Sequence, residues 1–132
     1  MKKIIFTILF LISSSYGANL YFDAFQDIQK AKRMLKTNPD KANSLFIEAA
    51  GYLKQVINTS INNNKPSGNA FFLLGEMYYN GWGVKKNTKK AYKLFCAAKQ
   101  LGNFKANTKV NKLKIKCKAI KNFKELQQWK CH

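Results

Sequence analysis

The chain has 132 residues, a formal net charge of +18 and a hydrophobic content of 46%. A chain of this length holds one domain, and this hydrophobic content excludes a disordered basic tail, which would have too few apolar residues to build a core. The excess of lysine predicts anionic partners, because a strongly positive surface attracts them over long range.

The first 17 residues have the pattern of a secretory signal peptide. Lys2 and Lys3 precede an apolar run over residues 4–12, and small residues then lead to Gly17. This order is typical of bacterial export signals, and the run is shorter than the roughly 20 apolar residues that a transmembrane helix needs. We expect cleavage after Gly17, no membrane span in the mature chain and a periplasmic or secreted protein. An uncleaved N-terminal anchor is the alternative.

Residues 20–62 are predicted to form a first, elongated helix pair, because apolar residues recur there at helical spacing. Between the two helices, Asn38 can accept a hydrogen bond from a first-turn amide and Pro39 suits the first helical position. Asp40 favours the positive end of the helix dipole. A polar linker follows, and Ser67 at its end can cap the next helix.

Residues 68–103 organise the chain. Two amphipathic patterns, with apolar residues at positions i, i+3, i+4 and i+7, predict two helices that each bury one face. Gly75 leaves room where the two helices approach each other, Gly81 ends the first helix, and Gly83 allows a tight connection. The pattern therefore predicts a helical hairpin.

This hairpin resembles the Sel1-like repeat, which is related to the tetratricopeptide repeat. Residues 41–49 repeat the pattern of residues 90–98 in degenerate form, whereas Asn87, Leu94 and Lys99 depart from the family's usual residues. The resemblance implies an all-α fold, a short α/α solenoid of two to three Sel1-like helix pairs, and a role in protein–protein interaction. The positions that carry the resemblance are Gly75, Tyr78, Gly81, Gly83, Ala91, Ala98 and Gly102.

Residues 104–130 are predicted to form two C-terminal helices. Apolar spacing predicts a fifth helix that runs from Ala106 to Cys117. Asn122 and Glu125 have the spacing of a capping box and open a short last helix. We expect this last helix to cap the open end of the stack. A single long helix is the alternative, although the apolar stripe changes register before the capping box.

Three cysteines in an exported chain raise the question of disulfide bonds. Cys117 and Cys131 flank the C-terminal turn, and a bond between them would tie down the tail by restricting the unfolded chain. Cys96 lies on the second helix of the hairpin, where a small packed residue is the simpler interpretation. The Cys117–Cys131 bond and three free thiols remain open alternatives.

Residues suited to catalysis are scarce. The one histidine, His132, is the last residue, so neither a Ser-His-Asp nor a Cys-His arrangement has a positioned base. The six acidic residues are scattered, with no pair spaced for acid and base roles. Cys117, Cys131 and His132 are too few ligands for a four-coordinate zinc site. We therefore predict a protein that is not an enzyme and has no metal and no cofactor.

Lysines are dense in two runs, over residues 85–93 and 105–124. Most lysines belong on solvated helix faces, but stacked helix pairs would place these two runs on neighbouring elements. Aromatic residues near the loop and the outer edge of the hairpin can anchor a partner, although Trp82 has equal reason to fold back over the hairpin end. The candidate partner-binding residues are Tyr79, Trp82, Tyr92, Lys85, Lys86, Lys89 and Lys93.

The sequence thus favours an exported protein–protein interaction module with a strongly basic surface. Its partner is unidentified, and the charge predicts an acidic protein. The alternative is a cationic binder of envelope polyanions or nucleic acid, for which lysine without clustered arginine is weak evidence. Nothing in the sequence defines the oligomeric state.

Overall fold

The computed structural model describes residues 19–128, and every regular element in that range is helical. This confirms the predicted all-α solenoid of helix pairs. The helices are α1 (19–34), α2 (Pro39–Asn62), α3 (Gly68–Asn80), α4 (Thr88–Gln100) and α5 (Phe104–Leu113), followed by a 3-10 helix at Phe123–Gln127. The predicted signal peptide at residues 1–17 lies outside the described residues.

Four of the helices begin at a polar side chain that accepts a hydrogen bond from the amide three residues further on. Asn38 caps α2 at 3.1 Å and Ser67 caps α3 at 3.2 Å, as predicted. Asn87 caps α4 at 2.9 Å, and Asn103 caps α5 at 2.8 Å. These caps satisfy amides that have no partner inside the helix, so the chain marks its own helix starts.

The hairpin of α3 and α4 is closely packed because small residues lie between the helices. A Cβ added at Gly75 would lie 2.7 Å from Cε1 of the Phe95 ring, and Ala91 and Ala98 are fully buried. Gly81 takes the left-handed conformation, with φ of 71°, and its amide bonds to the carbonyl of Met77. That conformation ends α3 at little cost only for glycine.

One hydrophobic core runs through both helix pairs. It joins α1 and α2 to α3 and α4, and it reaches α5 through Ala106 and Val110. Tyr78, Phe46 and Phe95 are among its largest fully buried side chains. Among residues 19–128, no helix is both long and apolar enough to cross a membrane.

The C-terminal helices differ from the prediction. α5 ends at Leu113 instead of continuing to Cys117, because Lys114 takes a left-handed conformation with φ of 54° and its amide bonds back to Asn111. The chain therefore reverses direction after α5. The last helix is a 3-10 helix, and it packs chiefly against α2 and α4.

Candidate functional site

The segment that follows α5 runs back along α4 and is linked to it at two positions. Cys117 forms a disulfide with Cys96 of α4. Three residues later, the side-chain amide of Gln100 pairs with the main chain of Ile120: Nε2 donates to the carbonyl at 2.9 Å, and Oε1 accepts from the amide at 2.7 Å. The disulfide and these hydrogen bonds hold residues 114–122, which have no regular secondary structure, beside α4.

The disulfide corrects the predicted cysteine pairing. Cys117 is bonded to Cys96, with 5.5 Å between their Cα atoms, so the predicted Cys117–Cys131 bond is wrong. Cys131 itself lies outside the described residues. The prediction failed because it placed Cys117 on a straight fifth helix, whereas the reversal at Lys114 brings it back to α4. No local signal in the sequence marks that reversal.

A groove of about 720 Å³ lies between α4 and residues 114–126. We call it the C-terminal groove. Its half-buried apolar lining includes Tyr92, Ile115, Ile120 and Leu126. Its volume is within the range of about 300–1,000 Å³ that is usual for ligand sites. Six exposed lysines also line it, and we call them the groove lysines: Lys89, Lys93, Lys114, Lys116, Lys118 and Lys121.

Three of the seven candidate partner-binding residues line this groove. Lys89, Tyr92 and Lys93 face it from α4, where they meet four lysines of the second lysine run. Lys85 and Lys86 are exposed on the connection between α3 and α4, outside the groove. The structure thus brings together one part of the candidate set and leaves another part on the loop.

Trp82 folds back onto the first helix pair, which is one of the two arrangements that the sequence left open. Its half-buried ring stacks on Phe46 of α2 at 5.1 Å between centroids, and Nζ of Lys32 lies 5.0 Å from the ring. Next to it, Gly83 has φ of 69°, and an added Cβ would collide with the α2 backbone at Phe46. This loop therefore joins the second pair to the first.

Tyr79 belongs to an aromatic and charged cluster between α3, α4 and α5. Its ring lies 6.5 Å from Tyr92 and 6.1 Å from Phe95. Nζ of Lys109 sits 5.3 Å from the Tyr79 ring and bonds to Glu76 at 2.9 Å. Sequence reasoning did not identify this cluster, because its partners come from three helices. Its contacts are internal, so it holds α5 against the hairpin.

The groove lysines differ from the lysines that have internal partners. Within residues 19–128, none of the six forms an ion pair or lies over an aromatic ring, whereas Lys109 does both. Among the described residues, Glu125 is the one acidic side chain that lines the groove. Six lysines against one carboxylate make this part of the described surface strongly positive.

Charge is unevenly divided along the chain. Residues 19–62 carry six basic and four acidic side chains, whereas residues 63–128 carry fifteen basic and two acidic ones.

In the first pair, the Tyr52 hydroxyl donates to Oε1 of Glu48 at 2.5 Å, and this bond raises the pKa of Tyr52 to about 12. Partial burial and nearby Glu48 raise the pKa of Asp27. The acidic side chains of the first pair do not line the groove.

Within residues 19–128, no three His, Cys, Asp or Glu side chains lie close enough to hold a metal ion. Cys131 and His132, two of the three zinc ligands considered in the sequence, lie outside that range. The chemistry available at the groove is therefore that of ammonium groups, peptide groups and an apolar surface. Such a set can bind and orient an anion.

The fold and the groove define an α/α repeat protein. The Sel1 repeat family matches residues 15–50 and 70–103, which together exceed half of the chain. The chain belongs to the Sel1 repeat family, whose repeats are generally protein–protein interaction modules and typically non-catalytic. Comparison with curated proteins and with solved structures gives no significant match.

Proposed function

We propose that this chain is an exported, non-catalytic module that binds an acidic protein through the lysine-rich side of its second helix pair. The observation that carries the proposal is the set of six groove lysines, which have no ion-pair or ring partner among residues 19–128, on a repeat that serves protein binding in its family. Long-range attraction would speed the encounter with an acidic partner. The rigid helices and the anchored C-terminal segment would keep the lysines in place for binding.

Export is supported by two independent features. Residues 1–17 have the pattern of a cleaved signal. The Cys96–Cys117 disulfide suits an oxidising compartment, since cytosolic thiols are kept reduced. Both features support a periplasmic or secreted location.

Photocrosslinking in the exporting cell tests the proposal. A photoreactive amino acid replaces Lys86, which is exposed three residues before the groove residue Lys89, and in a matched variant it replaces Lys30, which is exposed on α1. We expect a discrete protein adduct from position 86 and none from position 30. Adducts from neither position, with the chain correctly exported, would contradict the proposed function.

A second candidate function is the binding of an envelope polyanion, which the fifteen basic side chains of residues 63–128 favour. Such binding would be insensitive to the polymer's identity and would fall steeply with salt, because it is driven by release of counterions. A protein partner would instead show strong dependence on Tyr92, the candidate aromatic residue that lines the groove, at constant salt. Titration of purified chain with heparin and with an acidic protein at several salt concentrations separates the two.

A further inference from the structure

The main chain beside the groove has hydrogen-bonding capacity that the fold does not use. Ile120 is paired with Gln100, but within the described residues the amides and carbonyls of residues 116–119 form no intramolecular hydrogen bond. The same four residues are exposed. An extended peptide that adds to the edge of a sheet pairs with accessible, unpaired peptide groups. Residues 116–119 offer such groups without belonging to a strand.

The side chains around this run fit a chain that is both acidic and apolar. Lys116 and Lys118 alternate with residues that carry no charge, and Lys93 faces them from α4. Between them lie the half-buried apolar groups of Tyr92, Ile120 and neighbouring residues. A carboxylate-bearing peptide with an apolar side chain would satisfy both kinds of surface at once.

We propose that the C-terminal groove binds an extended acidic peptide segment of the partner, with an apolar side chain packed against Tyr92, Ile120 and Leu126. The peptide's carboxylates lie among the groove lysines, and its main chain pairs with residues 116–119. This inference rests on the proposed function and specifies the site and the chemistry of the partner.

A nucleic acid fits the groove less well. Single-stranded nucleic acid is held by successive aromatic platforms for its bases, and among residues 19–128 Tyr92 is the one aromatic side chain that lines the groove. Phosphates would use the lysines but would leave the apolar lining of Ile115, Ile120 and Leu126 without a counterpart. The apolar lining and the unpaired peptide groups together favour a peptide.

The experiment measures the affinity of the oxidised chain for a short fluorescein-labelled peptide in which glutamates flank a central isoleucine and leucine. The control peptide has the same charge, with serines in place of the apolar pair. Fluorescence anisotropy at physiological salt should give at least about tenfold weaker binding for the control peptide, because it lacks the apolar anchor. Equal affinity for the two peptides would overturn the inference.

Two double charge-reversal variants test where on the chain the peptide binds. Lys93→Glu with Lys118→Glu changes two groove lysines, and Lys30→Glu with Lys36→Glu makes the same charge change at exposed positions of the first helix pair, which does not line the groove. The first variant should lose at least about tenfold in affinity and the second less than about threefold, since local charge outweighs distant screened charge. Thermal unfolding by circular dichroism verifies that both variants fold. Equal losses, or tighter and groove-dependent binding of a single-stranded DNA oligonucleotide, would overturn the inference.

The same variants separate this inference from the proposed function. If the photocrosslinked partner still forms its adduct with the Lys93→Glu, Lys118→Glu chain, the groove is not the site, while the module still binds a protein. If the unaltered chain forms no protein adduct, the proposed function itself fails.

Discussion

The two helix pairs share one repeat pattern and differ in almost everything that surrounds it. The pair of α1 and α2 turns at Asn38 and Pro39 and carries a nearly balanced set of charges. The pair of α3 and α4 turns through Gly81 and Gly83 and is followed by the disulfide-anchored segment. The first pair therefore supplies a supporting surface, while the second pair, with the segment that follows α5, supplies the groove and its lysines.

The joint between the two pairs gives the largest expected effect. Gly83→Ala forces a side chain into positive φ and against the α2 backbone. Overpacking and left-handed strain together should lower the free energy of unfolding by about 2–5 kcal/mol. Gly102→Ala is the matched control, because Gly102 also has positive φ but no atom lies within 4 Å of its added Cβ. Urea denaturation should show about 1–2 kcal/mol for this control, and equal losses would mean that the Gly83 loop does not clamp the pairs together.

Loss of the disulfide gives the next largest expected effect, and we expect that effect to be confined to the second helix pair. Replacing Cys96 and Cys117 by serine removes a link between residues 21 apart in sequence. The loss should be about 2–4 kcal/mol, as for typical disulfides. Hydrogen exchange should show faster exchange of the Ile120 amide with little change in α2. An equal increase in amide exchange in both helix pairs would show that the effect of the disulfide is not local to the groove.

Two helical glycines give smaller effects of opposite sign. Gly75→Ala in α3 presses a methyl group onto Phe95, and the overpacking should cost about 1–3 kcal/mol. Gly51→Ala in α2 meets open space. It should therefore stabilise the chain by about 1 kcal/mol through helix propensity. Thermal unfolding of the two variants measures both effects, and stabilisation by both would show that α3 and α4 are less closely packed than described here.

Features written locally in the sequence were predictable. Asn38, Ser67 and Asn87 mark helix starts by short-range hydrogen bonds, and the hydrophobic periods gave the helices and the core face. These features need only neighbours within a turn or two. The repeat architecture is therefore predictable from the sequence alone.

Features that depend on chain reversal were not predictable. Lys114 takes a conformation that is usual for glycine or asparagine, so no residue type announces the end of α5. The disulfide, the Gln100–Ile120 pairing and the groove all follow from that one reversal. The sequence placed lysines on both sides of the groove, but the groove itself required the path of the C-terminal segment.

The most direct measurement is a titration of the ¹⁵N-labelled, oxidised chain with the isoleucine-leucine acidic peptide, followed by NMR chemical shifts. We expect saturable shifts at Tyr92 and along residues 116–120, with α1 and the first half of α2 unchanged. Shifts spread over lysines throughout the chain, or centred on the first helix pair, would contradict it.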